Sequence, residues 1–422
     1  MRDHRKLGTI QNNDVNNILH NGSGKDMTAE EYRTAVGHVL DGGPDVLAQN
    51  VGMPDPVIYR TDVATPWDKH MVEVSLIRRK GVRPADFAAE RQADGMATLV
   101  SAGTDPLQLT IDVCRERGAL ILASYRMNSE DWYETTWQLS DFGREHPDTL
   151  IPDSGVQDPA IPVVYEHRMR IFTEVARKYD IDGIEFDYRR WCKMISNPLE
   201  NHSILTKMVR ETRRMLDETA REKGRERMML GVRVGPSIDD PPGTEYEGGE
   251  THIDMSSTQL GLDVKTWIDE GLVDYVSPSL FWPFLPGVPR VAEFVALTEG
   301  KNIGIYPSVF ALPAWAQDEI SIPDMTAAQI DDMMCRHGDE ICNAALKCYE
   351  DGADGISTYN WTGHVPFSHQ VKLHGTRQTM YRSSLPFQNT ELFVHRCLTG
   401  PEALRKCLGL EPSVFLDCAW SA

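Results

Sequence analysis

A single eight-stranded β/α barrel, with functional chemistry at its carboxyl-end mouth, is the fold this sequence predicts. Three observations carry that expectation. Eight short apolar runs end in polar residues, and helical patterns separate them along the chain. Strands that alternate with helices form a parallel sheet, and eight such units are the number that closes into a barrel. An open doubly wound sheet would instead place a Gly-rich phosphate turn after its first strand, whereas Gly22, Ser23 and Gly24 make only a lone flexible turn.

The elements follow in order. The first strand is expected at Gly8–Asp14 and the second at Asp45–Val51, after a helix Ala29–Leu40 that Thr28 caps. The third, Ala119–Arg126, follows a helix opened by Asp105 and Pro106 and closed at Gly118, the usual punctuation of proline inside the start and glycine past the end. An amphipathic helix around Tyr165–Tyr179 leads to strand four, Gly183–Tyr188. The long helix His202–Lys223 leads to strand five, Met228–Val234. Strand six is Val273–Pro278, after a short helix holding Trp267. Strand seven is Asn302–Pro307, and strand eight, Gly355–Asn360, follows the helix Ala327–Glu350. Residues 1–363 are thus expected to form the barrel, and residues 364–422 a C-terminal extension packed on it. Residues 52–104 are a long excursion after strand two. Such loops are usually functional lids or carry extra structure, and Tyr59, Arg60, Trp67 and His70 are candidates to cover the mouth.

Composition limits the partners. Apolar residues at 41% are enough for a large core, and no run of about 18 apolar residues exists to cross a membrane. A net charge of −20 repels nucleic acid and anionic membranes, so neither is an expected partner, while a homo-oligomer is compatible with the sequence. The start, MRDHRKLGTIQNND, lacks the apolar stretch of a leader. A cytoplasmic address is expected, although a secreted chain trimmed of its leader would read the same way. The eight cysteines form no CxxC or CxxH pair and read as reduced thiols; no metal site and no cofactor are expected.

The most informative segment runs from Tyr179 to Trp191. Side chains alternate along a strand, so Ile184, Phe186 and Tyr188 share the face under the helices. Glu185, Asp187 and Arg189 share the other, inside the barrel. Buried carboxylates are costly unless paired, hydrogen-bonded or used, and the carboxyl end of a barrel strand is where active sites occur. An internal ion-pair network with Arg126 or Arg233 is the bland alternative. By the same parity Ser124, Arg126 and Asn128 share a face of strand three. On strand five Gly231, Arg233 and Gly235 do, and the glycines are expected to leave room for a ligand. Asn13, Asn50, Tyr59, His70, Arg189, Trp282, Tyr306, Tyr359 and Trp361 complete the substrate-binding candidates, because aromatics beside carboxylates and amides suit a sugar.

DGIEFDYRRW resembles the fourth-strand motif of glycoside-hydrolase-like TIM barrels, the family 10-like glycosidases. The likeness extends to SYRMNSEDWYE, LSDFGREHPD, MMLGVRV and GLVDYVSPS. It implies a pocket built from the tops of strands one, three, four and five. A weaker similarity links strand four to the DGxDxDxE motif of family 18 chitinases. There the position of the acid glutamate is Arg189 and that of the first inner aspartate is Glu185, so substrate-assisted chemistry is not implied.

The expected activity is glycoside hydrolysis, which generally needs two carboxyl groups flanking the scissile bond. Asp187 is the first candidate for nucleophile or base, with Glu185 beneath it orienting it or holding an arginine. Asp131 and Asp14 lead Glu130, Asp239 and Asp240 as candidate proton donors. Arg126, Arg189, Arg190 and Arg233 raise an anionic sugar as substrate. The competing classes are a sugar-acid lyase or isomerase, for which no strand-top lysine or histidine cluster is seen, and a catalytically silent carbohydrate-binding barrel.

Overall fold

The computed structural model describes residues 3–14, 18, 27–67, 95–128, 140–152, 154, 156–189, 194–240, 255–280, 287–309, 326–361, 385–411 and 413–414. Its strands are β1 Ile10–Asn13, β2 Val46–Gly52, β3 Leu120–Arg126, β4 Gly183–Asp187, β5 Met229–Val234, β6 Tyr275–Pro278, β7 Gly304–Ile305, β8 Ser308–Val309 and β9 Ser357–Tyr359. The helices in chain order are α1 Ala29–Leu40, α2 Pro106–Arg117, α3 Asp141–Glu145, α4 Pro162–Lys178, α5 Pro198–Glu222, α6 Val264–Asp269, α7 Val291–Leu297, α8 Ala327–Glu350, α9 Leu385–Cys397 and α10 Pro401–Cys407.

Local chemistry explains the helix ends. Thr28 and Glu31 form a reciprocal capping box on α1. Asp105 accepts hydrogen bonds from the backbone of Leu107 and Gln108 at the start of α2, and Gly118 ends that helix in the left-handed region. Thr326 and Gln329 box the start of α8.

Every ladder is parallel, in the order β7-β6-β5-β4-β3-β2-β1-β9-β8. The two ends of that order belong to one segment, 304–309. Its first half pairs with β6 and its second half with β9, so the α/β sheet closes into a barrel. The seventh strand is therefore split, not continuous over Asn302–Pro307 as the sequence predicts. Tyr306 still donates its amide to Val276, but Pro307 has no N–H to continue the ladder and only accepts, from Ser357.

The strands separate two cores. Outside, residues such as Ile121, Ile184, Phe186 and Val232 pack under the helices. Inside, Leu7, Ile10, Val46, Ala48, Leu122, Met229, Tyr275 and Tyr306 fill the amino-terminal half of the barrel. Polar side chains therefore take the inward positions nearer the carboxyl ends. Among the described residues no helix is long and apolar enough to cross a membrane.

The C-terminal helices α9 and α10 pack against α8. His395 of α9 inserts between Gly42 and β9, its Nδ1 2.9 Å from the Gly42 carbonyl and its Nε2 3.1 Å from the Thr358 hydroxyl. Burial pushes this imidazole down to about 4 from an ordinary 6.5, against the opposing hydrogen bond to Gly42 and with help from the charge of Arg396. Because the folded value is depressed, the histidine's contribution is complete above pH 6.5. It is lost as pH falls towards 4, where the unfolded chain binds a proton that the folded one excludes. This linkage amounts to about 3 kcal/mol. Replacing His395 with Gln should flatten the fall of melting temperature between pH 6.5 and 4; identical slopes in parent and variant would refute the assignment.

Candidate active site

Register places two polar layers inside the barrel. In the lower, Ser124, Glu185, Gly231 and Tyr275 lie side by side across β3, β4, β5 and β6. In the upper, Arg126, Asp187, Arg233 and Ser277 do. The alternation of β4 thus turns both carboxylates inward.

Glu185 is fully buried and held by neutral donors. Its Oε1 accepts from Asn12 Nδ2 and, at 2.8 Å, from Ser124 Oγ; its Oε2 accepts from the Tyr275 hydroxyl at 2.6 Å. Burial raises its pKa above the ordinary glutamate value, and the neighbouring Asp187 raises it further. The Tyr275 and Ser124 hydrogen bonds and the charge of Arg233 oppose them. The ring of Tyr275 reaches Glu185 through the space over Gly231, where an added Cβ would lie 2.1 Å from Tyr275 Cζ. The expectation that Gly231 and Gly235 leave room for a ligand is corrected here. A tyrosine fills the first gap, and the backbone around Met255–Ser257 closes on the second.

The upper layer carries the charges. Asp187 Oδ2 accepts from Arg233 Nη1 at 3.0 Å, and its Oδ1 accepts from the backbone N–H of Arg189 at 2.8 Å. Arg233 also donates to Ser279 Oγ at 3.0 Å. A second pair stands beside it. Arg126 donates to Asp14 Oδ1, while Asp14 Oδ2 accepts from the Tyr359 hydroxyl at 2.6 Å and from Asn360 Nδ2 at 2.9 Å. Arg126 also donates to the Tyr359 hydroxyl at 2.9 Å, and the Arg233 guanidinium lies 4.4 Å from the centre of the Tyr359 ring. None of the four paired side chains is more than 5% exposed, so these are desolvated ion pairs and not surface contacts.

No family model matches the chain. Over a 220-residue alignment it is 24% identical to Glycosyl hydrolase DigH of Escherichia coli strain K12, covering 44% of this chain and 48% of that protein. The chain therefore spans about half the length of the curated relatives it matches. Among solved structures it is similar to a family GH18 chitinase from Cycas revoluta, at 12% identity and a TM-score of 0.41 over 83% of this chain and 94% of the other. It is also similar to α-L-fucosidase isoenzyme 2 from Paenibacillus thiaminolyticus, at 12% identity and a TM-score of 0.42 over 97% of this chain and 51% of that one.

The structure gathers Asp14, Arg126, Glu185, Asp187, Arg233 and Tyr359 into one network, with the Arg189 backbone closing on Asp187. Asn50 bonds the Gly52 carbonyl at the top of β2, and Asn128 is buried just past β3. Other candidates are placed elsewhere. Asn13 turns to the opposite face of β1 from Asn12 and pairs its amide with Gln49. The Tyr59 hydroxyl meets that of Tyr125, on the outward face of β3, and its ring packs edge-on against Tyr179. The Arg60 carbonyl accepts from Tyr179 and Lys178 at the far end of α4. Trp67 belongs to the apolar core outside the sheet. This stretch of the excursion runs along the outer wall, so for Tyr59, Arg60 and Trp67 the mouth-covering role is corrected.

Tyr306 points to the foot of the barrel, where its hydroxyl bonds Leu7 N and His4 O. Asn360 adopts φ 54°, which breaks strand alternation and turns Trp361 outward against His395. Asp239 is bound by Thr258 and Lys265, whose hydrogen bonds hold its carboxyl below the ordinary range. Asp131, His70 and Trp282 lie outside the described residues, as do Glu130 and Arg190.

Sequence reasoning missed Asn12, Tyr275, Ser279 and Asn360 as site residues. Parity links Asn12 to Asp14 two residues on, but no residue of strand six had been placed inside, so Tyr275 and Ser279 had no anchor to count from. Nothing local signals Asn360. Among the described residues no group of three or more His, Cys, Asp or Glu side chains forms a candidate metal site. What the arrangement offers is two carboxylates at strand ends, each set by an arginine in a dry environment that strengthens electrostatic action on developing positive charge.

Proposed function

We propose that the chain is a glycoside hydrolase of the family 10-like barrel kind, cleaving O-glycosyl bonds with Asp187 as nucleophile or base. The observation that carries this reading is the pairing of Asp187 with Arg233 at the carboxyl end of β4, beside a second carboxylate, Asp14, paired with Arg126. The named likeness to a glycosyl hydrolase supports it. Asp14 accepts hydrogen bonds at both oxygens, which suits an electrostatic partner better than a proton donor. Asp131, just past β3, is the proposed donor.

The substrate we favour is an uncharged glycan. Of the four arginines that first raise an anionic sugar, Arg126 and Arg233 each already face a carboxylate, so their attraction is largely cancelled within the site. The test is a panel of neutral and uronate-containing oligosaccharides, read by new reducing ends. Turnover of a neutral member is the expected result. Turnover confined to uronates would refute the neutral substrate alone, and binding without any turnover would refute the hydrolase.

A further inference from the structure

Tyr359 stands between the two carboxylate–arginine pairs, and its surroundings argue against the sugar-stacking role that its strand-end position first implies. A stacking platform needs an open ring face. Here the Arg233 guanidinium lies 4.4 Å from the ring centre, and only 6% of the residue is exposed. The hydroxyl is engaged as well, donating to Asp14 at 2.6 Å and accepting from Arg126 at 2.9 Å. The order across the site is therefore carboxylate, arginine, tyrosine, arginine, carboxylate. The ring separates two like charges and offers its electron-rich face to one of them.

We propose that Tyr359 is a positioning residue that couples the two pairs. Its hydroxyl holds Asp14 and Arg126 together, and its ring seats Arg233 so that the guanidinium meets Asp187 at 3.0 Å. The inference rests on the glycoside-hydrolase reading for its kinetic consequence, though not for the coupling itself. A small displacement of Arg233 would move the charge set against Asp187, and misplacements on the order of 1 Å cost up to about a hundredfold in rate.

The test compares Tyr359→Phe, which keeps the ring, with Tyr359→Leu, which removes it. On a glycoside that the parent turns over, Phe should lower kcat about tenfold and Leu about a hundredfold, with KM changing less than about threefold in both. Unchanged kcat in both variants, or a raised KM with kcat preserved, would overturn the positioning role and make Tyr359 a dispensable or substrate-binding aromatic. A thermal-unfolding cycle of Asp14→Asn, Asp187→Asn and the double variant, run with Tyr359 and with Tyr359→Leu, reads the coupling between the pairs without any substrate. Non-additive effects that shrink with Tyr359→Leu are expected, and additive ones, or equal non-additivity in both backgrounds, would overturn the bridge. Coupling in a protein that binds members of the panel without hydrolysing any would refute the hydrolase and leave the bridge standing.

Discussion

Asp187→Asn is expected to cut glycoside turnover by about three orders of magnitude, close to 4 kcal/mol of transition-state stabilisation. The amide is nearly the same shape as the carboxylate, so the loss is one of charge. An oxocarbenium-like transition state develops positive charge that an ionised Asp187 answers and an amide does not. The buried partner sets a second consequence. Arg233 pairs with Asp187 at 3.0 Å with both side chains almost wholly out of water, and removing one charge from such a pair commonly costs about 3–5 kcal/mol of stability. Asparagine still offers Arg233 an oxygen, and Ser279 keeps its own hydrogen bond, so the cost should fall at the low end of that range. Melting temperature and turnover per folded molecule, measured on the same variant, separate the two effects. Near-normal turnover in the folded fraction would leave Asp187 a structural ion-pair member and end its catalytic assignment.

Gly231→Ala should destabilise the fold by about 3 kcal/mol or more, although it adds a single methyl group. The new Cβ would sit 2.1 Å from Cζ and 2.4 Å from the hydroxyl oxygen of Tyr275. That ring is fully buried and packs edge-on against Tyr306 at 6.0 Å, and its hydroxyl is fixed on Glu185. Relieving the clash means moving the ring away and leaving Glu185 without one of its donors inside the barrel. The same alanine introduced beside Tyr275→Leu, which lacks the clashing atoms, should cost much less than it does beside tyrosine. Denaturant midpoints of the four proteins check this. A Gly231→Ala protein within about 0.5 kcal/mol of the parent would show that the ring yields freely.

Much of this architecture was legible in the chain. The ends of α1 and α8 agree with the expected Ala29–Leu40 and Ala327–Glu350, and the strands other than the split seventh lie within about two residues of their expected positions. Both outcomes rest on short-range physics: capping groups three residues apart, proline and glycine at helix ends, and the two-residue period of a strand. The same period placed Glu185 and Asp187 together on the inward face before any partner was known. It failed at Trp361, because the left-handed turn at Asn360 reverses the parity that the neighbouring residues imply.

Which groups meet across the barrel is a different kind of information. Asp14 and Asn360 stand 346 positions apart in the chain, yet the Asp14 amide donates to the Asn360 side chain at 2.8 Å. Arg126 could have paired with Glu185 or Asp187 as readily as with Asp14, since all share the interior. Register alone puts Glu185 level with Ser124 and Tyr275, and Asp187 level with Arg233. Likewise Tyr306 and Tyr359 are both strand-end tyrosines in sequence, but one closes the foot of the barrel and the other joins the charged pairs near its mouth. The sequence by itself determined the elements and the face each carboxylate shows. Only barrel closure decided their partners, because strand stagger and the depth at which each side chain enters the interior are set by long-range packing that no local period encodes.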